Sequence, residues 1–136
     1  MKYLLDTNIC IYIINKQPAS VIQRLVKTSI ADVAISAITY SELEYGVSKS
    51  RHQTKNKIAL MEFLAPFTIF DFNEMAAEKY GEIRADLESK GTTIGNMDLL
   101  IAAHVLALDL ILVTNNEKEF KRIADLKIEN WSNETS

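Results

Sequence analysis

The sequence has little of what marks several large classes of protein. Its one cysteine, Cys10, cannot close an internal disulfide, which excludes a disulfide scaffold and fits a reducing compartment. Four glycines and two prolines exclude collagenous and low-complexity character. No apolar run approaches the roughly 18 residues of a membrane span. The opening stretch Tyr3-Leu4-Leu5 ends at Asp6, far short of a signal-peptide core. Basic charge is not in excess either. The 15 Lys and Arg face 18 Asp and Glu, for a net charge of −3, which argues against a surface coated for non-specific nucleic-acid binding but leaves room for a local patch. There is no glycine-rich phosphate loop, and Asp6-Thr7-Asn8 lacks the second Asp, two positions on, of an aspartyl-phosphatase motif. What is present is apolar: 48% of 136 residues are hydrophobic. That supports one full core, because two would each fall near the lower limit of independent folding. The expectation is a cytoplasmic protein with no membrane segment, one domain over residues 1–131 and a polar tail at 132–136.

Strand-like and helix-like patterns alternate along the chain. Residues 2–5 read as a short buried strand, and Asp6-Thr7-Asn8 is good helix-start material for a helix over 9–14. Pro18 opens a helix over 19–28, with Val21, Ile22, Leu25 and Val26 at helical spacing. Residues 33–35 are strand-like, and Thr39 begins a helix carrying Leu43 and Val47 as an i, i+4 pair. A helix over 54–64 stops at Pro66, and 67–72 reads as strand. Asn73 is a helix cap for a long helix to Lys90, with Gly91 as its stop. Residues 96–108 are helical, 110–114 form the clearest strand, and a short helix at 117–123 precedes an edge strand at 127–130. About five strands among six or seven helices select an α/β sandwich with a mainly parallel sheet.

In such sheets ligands gather outside the carboxyl ends of the strands. Asp6 follows the first strand, Glu42 lies early in the helix after the second, and Thr114-Asn115-Asn116 follows the strong strand with Glu119 a turn later. Asp98 shares a helical stripe with Ile101, Ala102, Val105 and Leu108, so it points along a buried face. Each acid has a plain reading alone: Asp6 as a helix cap, Asp98 as a partner of the helix dipole, Glu42 and Glu119 as solvated residues. Together they are self-defeating without a cation, since two carboxylates about 4 Å apart repel by roughly 4 kcal/mol at an effective dielectric near 20. All-oxygen donors without clustered His or Cys select Mg²⁺, or Mn²⁺ in its place, over zinc. That is the chemistry of phosphodiester hydrolysis. His104 reads as a core or surface residue, His52 as exposed, and Cys10 as a small buried hydrophobe. Residues 48–61 hold no acid but carry Lys49, Arg51, His52, Lys55 and Lys57, either a solvated face or a track for a phosphate backbone. Lys118, Lys121 and Arg122 form a second small basic cluster near Glu119.

Four blocks resemble PIN-domain ribonucleases: Leu4-Leu5-Asp6-Thr7-Asn8, Ile38-Thr39-Tyr40-Ser41-Glu42-Leu43-Glu44-Tyr45-Gly46, Ile94-Gly95-Asn96-Met97-Asp98, and the run from Leu112 to Phe120. The likeness is nearest to the VapC toxins of bacterial type II toxin–antitoxin pairs, and it runs in order from Met1 to about Trp131. It implies a three-layer α/β/α fold and a Mg²⁺-dependent endoribonuclease with Asp6, Glu42 and Asp98 as its first three acids. Asp6 and Asp98 would be the principal metal ligands, with Glu42 and Glu119 completing the shell or serving a second ion. Asn116 stands where many PIN domains carry Asp, so the fourth position falls to Glu119 or to Asn116 itself. Asn8 and Thr114 are the expected supporting hydrogen-bonders. The resemblance further implies a homodimer, a small VapB-type antitoxin lying across the active site, operator DNA bound only through that antitoxin, and an RNA substrate, with the initiator tRNA anticodon loop as the leading one. The rivals are a non-catalytic PIN module that binds RNA or protein, and a metal-dependent phosphatase or DNase using the same acids.

Overall fold

A computed structural model describes residues 1–132. Its five strands are β1 (Tyr3–Leu5), β2 (Val33–Ser36), β3 (Thr68–Phe70), β4 (Ile111–Val113) and β5 (Ile128–Glu129). Seven α-helices join them: α1 (Thr7–Asn15), α2 (Ala19–Lys27), α3 (Ala37–Ser48), α4 (Gln53–Leu64), α5 (Glu74–Lys90), α6 (Asn96–Leu108) and α7 (Glu117–Phe120). The sheet order is β3-β2-β1-β4-β5 and every pairing is parallel.

The pleat explains why the strands are so uniformly apolar. Successive side chains point to opposite faces. Tyr3, Leu5, Val33, Ile35 and Val113 pack on one side with residues of α1 to α4, such as Ile9, Val21, Leu43 and Leu60. Leu4, Ala34 and Leu112 pack on the other with α5, α6 and α7, through Leu87, Ile101, Val105 and Phe120. A parallel sheet covered on both faces needs apolar residues at every position of its central strands. This is the three-layer α/β/α sandwich.

Caps set the helix limits. Asn73 Oδ1 accepts from the Ala76 N–H at 3.1 Å at the start of α5, and Gly91 closes that helix with φ 67°, a left-handed conformation suited to glycine. Helix α3 begins two residues before the expected Thr39, because Ser36 Oγ accepts from the Ile38 N–H at 3.0 Å and caps it there. Strand β3 is shorter than the expected 67–72, since it lies at the sheet edge with Thr68 and Ile69 exposed. The expected polar tail begins with an anchored residue. Ser20 donates to the Ser132 carbonyl at 3.3 Å beside buried Trp131, while 133–136 lie outside the described residues. Among the described residues no helix is long and apolar enough to cross a membrane.

Strand β1 is central. The chain first builds outward to β2 and β3, then crosses back to lay β4 and β5 on the other side. The carboxyl ends of β1 and β4 therefore flank the point where the winding reverses, the position at which open parallel sheets form crevices.

Candidate active site

Asp6 enters the crevice straight from β1, and its own N–H donates to the Val113 carbonyl at 3.0 Å, tying it to the end of β4. One carboxylate oxygen accepts from the Ile9 N–H at 2.9 Å, so Asp6 does cap α1. The other accepts from the hydroxyl of Thr114, the fully buried residue that follows β4. The cap reading of this residue holds, and the cap leaves its second oxygen facing Thr114. Only 5% of Asp6 is exposed, and burial pushes its pKa from 3.8 up to about 6 although the Thr114 hydroxyl and the Ile9 N–H favour the charged form. The charge of Glu42 raises it further.

Asp98 lies in the first turn of α6, half-buried as its place on the apolar stripe predicts. Burial pushes it up to about 7, with the Glu119 carboxylate within hydrogen-bonding reach and the charges of Asp6 and Glu42 adding to the effect. These mutual influences bring all four acids of the sequence reading into one electrostatic unit.

Each remaining acid has a brace. Glu42 projects from α3 and accepts from Thr7 Oγ1 at 2.6 Å, with Thr39 Oγ1 3.3 Å from the same hydroxyl. Glu119 in α7 accepts from Asn116 Nδ2 at 3.0 Å, while the Asn116 N–H donates to Thr114 Oγ1 at 3.0 Å. Thr114 and Asn116 thus form a relay from Asp6 to Glu119. Asn116→Ala should weaken Mn²⁺ binding by about 10–100-fold, the usual scale for losing a group that orients a ligand. Calorimetric titration of the variant checks this, and unchanged affinity would detach Asn116 from the site.

Other expectations are placed differently. Asn8 is exposed, and it is its backbone N–H, not its side chain, that faces the Asp6 carboxylate. Lys49, Arg51 and Lys55 are exposed at the α3–α4 turn and on α4, with Lys49 about 10 Å along the helix axis from Glu42. Lys57 is paired with Glu44 instead of free. Cys10 is fully buried and its thiol is pushed up by burial and then by the Asp6 charge, so it stays protonated. Sequence reasoning missed Thr7 and Thr39, because Thr7 is distant in sequence from both of its partners, Thr39 and Glu42. It also missed the bond from Asn115 Nδ2 to the Tyr12 hydroxyl at 2.6 Å, which pins the turn after β4 to α1. Only the Thr-Asn-Asn triplet hinted at the last.

The donor set is suited to a hard divalent cation: carboxylates, hydroxyls and an amide, with no thiolate or imidazole among them. Two of the carboxylates are held in surroundings that disfavour their charged form, which a bound cation would reverse. Among the described residues no three His, Cys, Asp or Glu side chains close on one ligand point. A small divalent cation is commonly held by one or two carboxylates with water in the rest of its shell, a number that Asp6 and Asp98 could supply.

The PIN-domain family model matches residues 3–126. Ribonuclease VapC2 of Rickettsia felis is 51% identical over 134 residues, covering 96% of this chain and 98% of its own. The tRNA(fMet)-specific endonuclease VapC of Shigella flexneri is 39% identical over 132 residues, covering 97% and 99%. VapBC2 from Rickettsia felis, solved bound to a DNA fragment from its promoter, superposes with a TM-score of 0.89 at 50% identity over 96% of this chain and 99% of the other. Nucleases of this family generally depend on a divalent metal. The chain therefore belongs to the PIN-domain family, as a ribonuclease of its VapC branch.

Proposed function

We propose that the chain is the endoribonuclease toxin of a VapBC-type pair, acting in the cytoplasm on RNA phosphodiesters with Mg²⁺ held by Asp6 and Asp98. The observation that carries this reading is the electrostatic coupling of Asp98 to Asp6, Glu42 and Glu119 beside the switch point of the sheet, with Asp6 and Asp98 driven toward protonation by burial. When bound, the cation supplies charge neutralisation at the phosphate and an acidified water. The protein does the rest. Thr114 and the Ile9 N–H hold the two oxygens of Asp6 in fixed directions. Thr7 and Asn116 hold Glu42 and Glu119, carboxylates placed to orient water or take up its proton. Exposed Lys49, Arg51 and Lys55 offer phosphate contacts that position the strand without reading its sequence.

The substrate class we favour is initiator tRNA cut in its anticodon loop, from the relatives in Shigella flexneri and Salmonella typhimurium named for tRNA(fMet) at 39% and 38% identity. The partner is a VapB-type antitoxin. An apolar groove of about 270 Å³ between α1, α3 and α4, lined by Ile11, Ile14, Leu43, Val47 and Leu60, has Glu42 at its margin. An antitoxin tail lying there would end at the acids. With a net charge of −3 on the chain, operator DNA would be met through the antitoxin, and the resemblance to VapC toxins extends the proposal to a homodimer.

The test is cleavage with Mg²⁺ of initiator tRNA, a DNA hairpin of the same sequence and a small phosphate ester. Cutting of the tRNA alone, leaving 5′-phosphate and 3′-hydroxyl ends, is expected from hydrolysis by water. Cyclic phosphate ends, or no RNA cleavage, would overturn the reading, and turnover of DNA or the ester would redirect it to a DNase or phosphatase.

A further inference from the structure

Outside the acid cluster one imidazole is buried among the described residues: His104, only 1% exposed, in the middle of α6. Its ring lies between two chain junctions. Nδ1 is 2.8 Å from Ser36 Oγ, at the point where β2 turns into α3. On its other side the backbone of Asp71, just after β3, is near enough to favour a protonated ring, and the Phe72 ring packs edge-on at 5.4 Å.

The proton positions follow from what each partner can do. The Asp71 carbonyl can only accept, so Nε2 carries a hydrogen and donates it. Burial disfavours a charged imidazole, so the ring is neutral and Nδ1 is left as an acceptor. Ser36 Oγ already accepts the Ile38 N–H, and its single hydroxyl proton goes to Nδ1. Every donor and acceptor in this chain is used once, and no other protonation state uses them all.

The consequence lies in where the two helices lead. Asp98 is six residues before His104 on α6, and Glu42 is six residues after Ser36, the residue that caps α3. We infer that His104 is a positioning residue of the catalytic centre, fixing the helix that presents Asp98 against the helix that presents Glu42 through the Ser36 hydroxyl. The inference rests on the reading of these acids as the active site.

Two variants break the same bond in different ways. His104→Phe keeps an aromatic ring and removes both ring hydrogen bonds. Ser36→Gly removes the hydroxyl yet leaves a residue that helix starts accept well, which serves should His104→Phe fold poorly. Each is measured below its unfolding temperature, for kcat and KM on RNA and for thermal stability without metal. Expected are a fall in kcat of about 10–100-fold with KM within about twofold, and non-additive losses in Tm when the two are combined. Heteronuclear NMR of the metal-free protein should show the His104 proton on Nε2. A lowered Tm with kcat per folded molecule unchanged, or a proton on Nδ1, would overturn the inference. If Asp6→Asn loses cleavage while His104→Phe retains it, this inference alone fails. If Asp6→Asn cleaves at the wild-type rate, the site assignment itself fails.

Discussion

Asp6→Asn will reduce RNA cleavage by on the order of 10³-fold, the scale on which losing a transition-state charge stabiliser registers, and will leave a folded protein. The two halves of that result come from the two oxygens of one side chain. The oxygen that accepts from the Ile9 N–H serves the helix, and Asn caps a helix about as well as Asp. The negative charge serves the cation, and an amide does not supply it. Cleavage of initiator tRNA and a circular dichroism melt on the same preparation check both halves. Wild-type cleavage would remove Asp6 from the metal site, and an unfolded variant would show that the carboxylate is structural.

The same substitution should stabilise the metal-free protein above neutral pH. Asp6 has a folded-state pKa of about 6 against an ordinary 3.8. As pH rises the unfolded chain loses this proton first, so stability from the group is full below pH 4 and is lost between about pH 4 and 6. The cost above that window is about 3 kcal/mol at 1.36 kcal/mol per pKa unit. Asp98, also raised, pushes the same way up to about pH 7. Without metal, Asp6→Asn and wild type should melt together near pH 4 and diverge to roughly 10 °C at pH 8, the variant higher, at roughly 3–5 °C per kcal/mol. Mg²⁺ should then raise the wild-type Tm at pH 8 and do little at pH 5, because protonated acids do not bind it. Equal melting temperatures at pH 8 in EDTA would contradict the buried-charge account of this site.

Much of this was visible in the residues. The unbroken apolar runs Tyr3-Leu4-Leu5 and Val33-Ala34-Ile35 mark strands because a sheet covered on both faces leaves no polar positions, and α6 was bounded correctly at Asn96–Leu108. Asp98 betrayed itself by sitting on an apolar stripe. What stayed hidden depends on tertiary geometry. The direction of Asn8 is set by its place on α1, where the side chain faces solvent and the N–H faces Asp6. Lys57 was counted as free because Glu44, one helix away, cannot be seen from local charge alone. Likewise the Thr7 bond to Glu42 spans 35 residues and appears only once α1 and α3 pack. The hydrogen bond from the Asn116 amide to Glu119, which braces that acid, is also not visible in the sequence.

The seating of β4 beside β1 has a consequence for the timing of synthesis. Asp6 leaves the ribosome well before its partner Thr114, which is 108 positions behind it. At about 5–20 residues per second, that separation is roughly 5–20 s of elongation. Until β4 emerges, Asp6 has Glu42 of α3 near it but no Thr114 to orient its carboxylate, and Asp98 has no Glu119 beside it. The acid cluster is therefore completed late, while the groove between α1, α3 and α4, lined by residues 11–60, is already made and open to a partner.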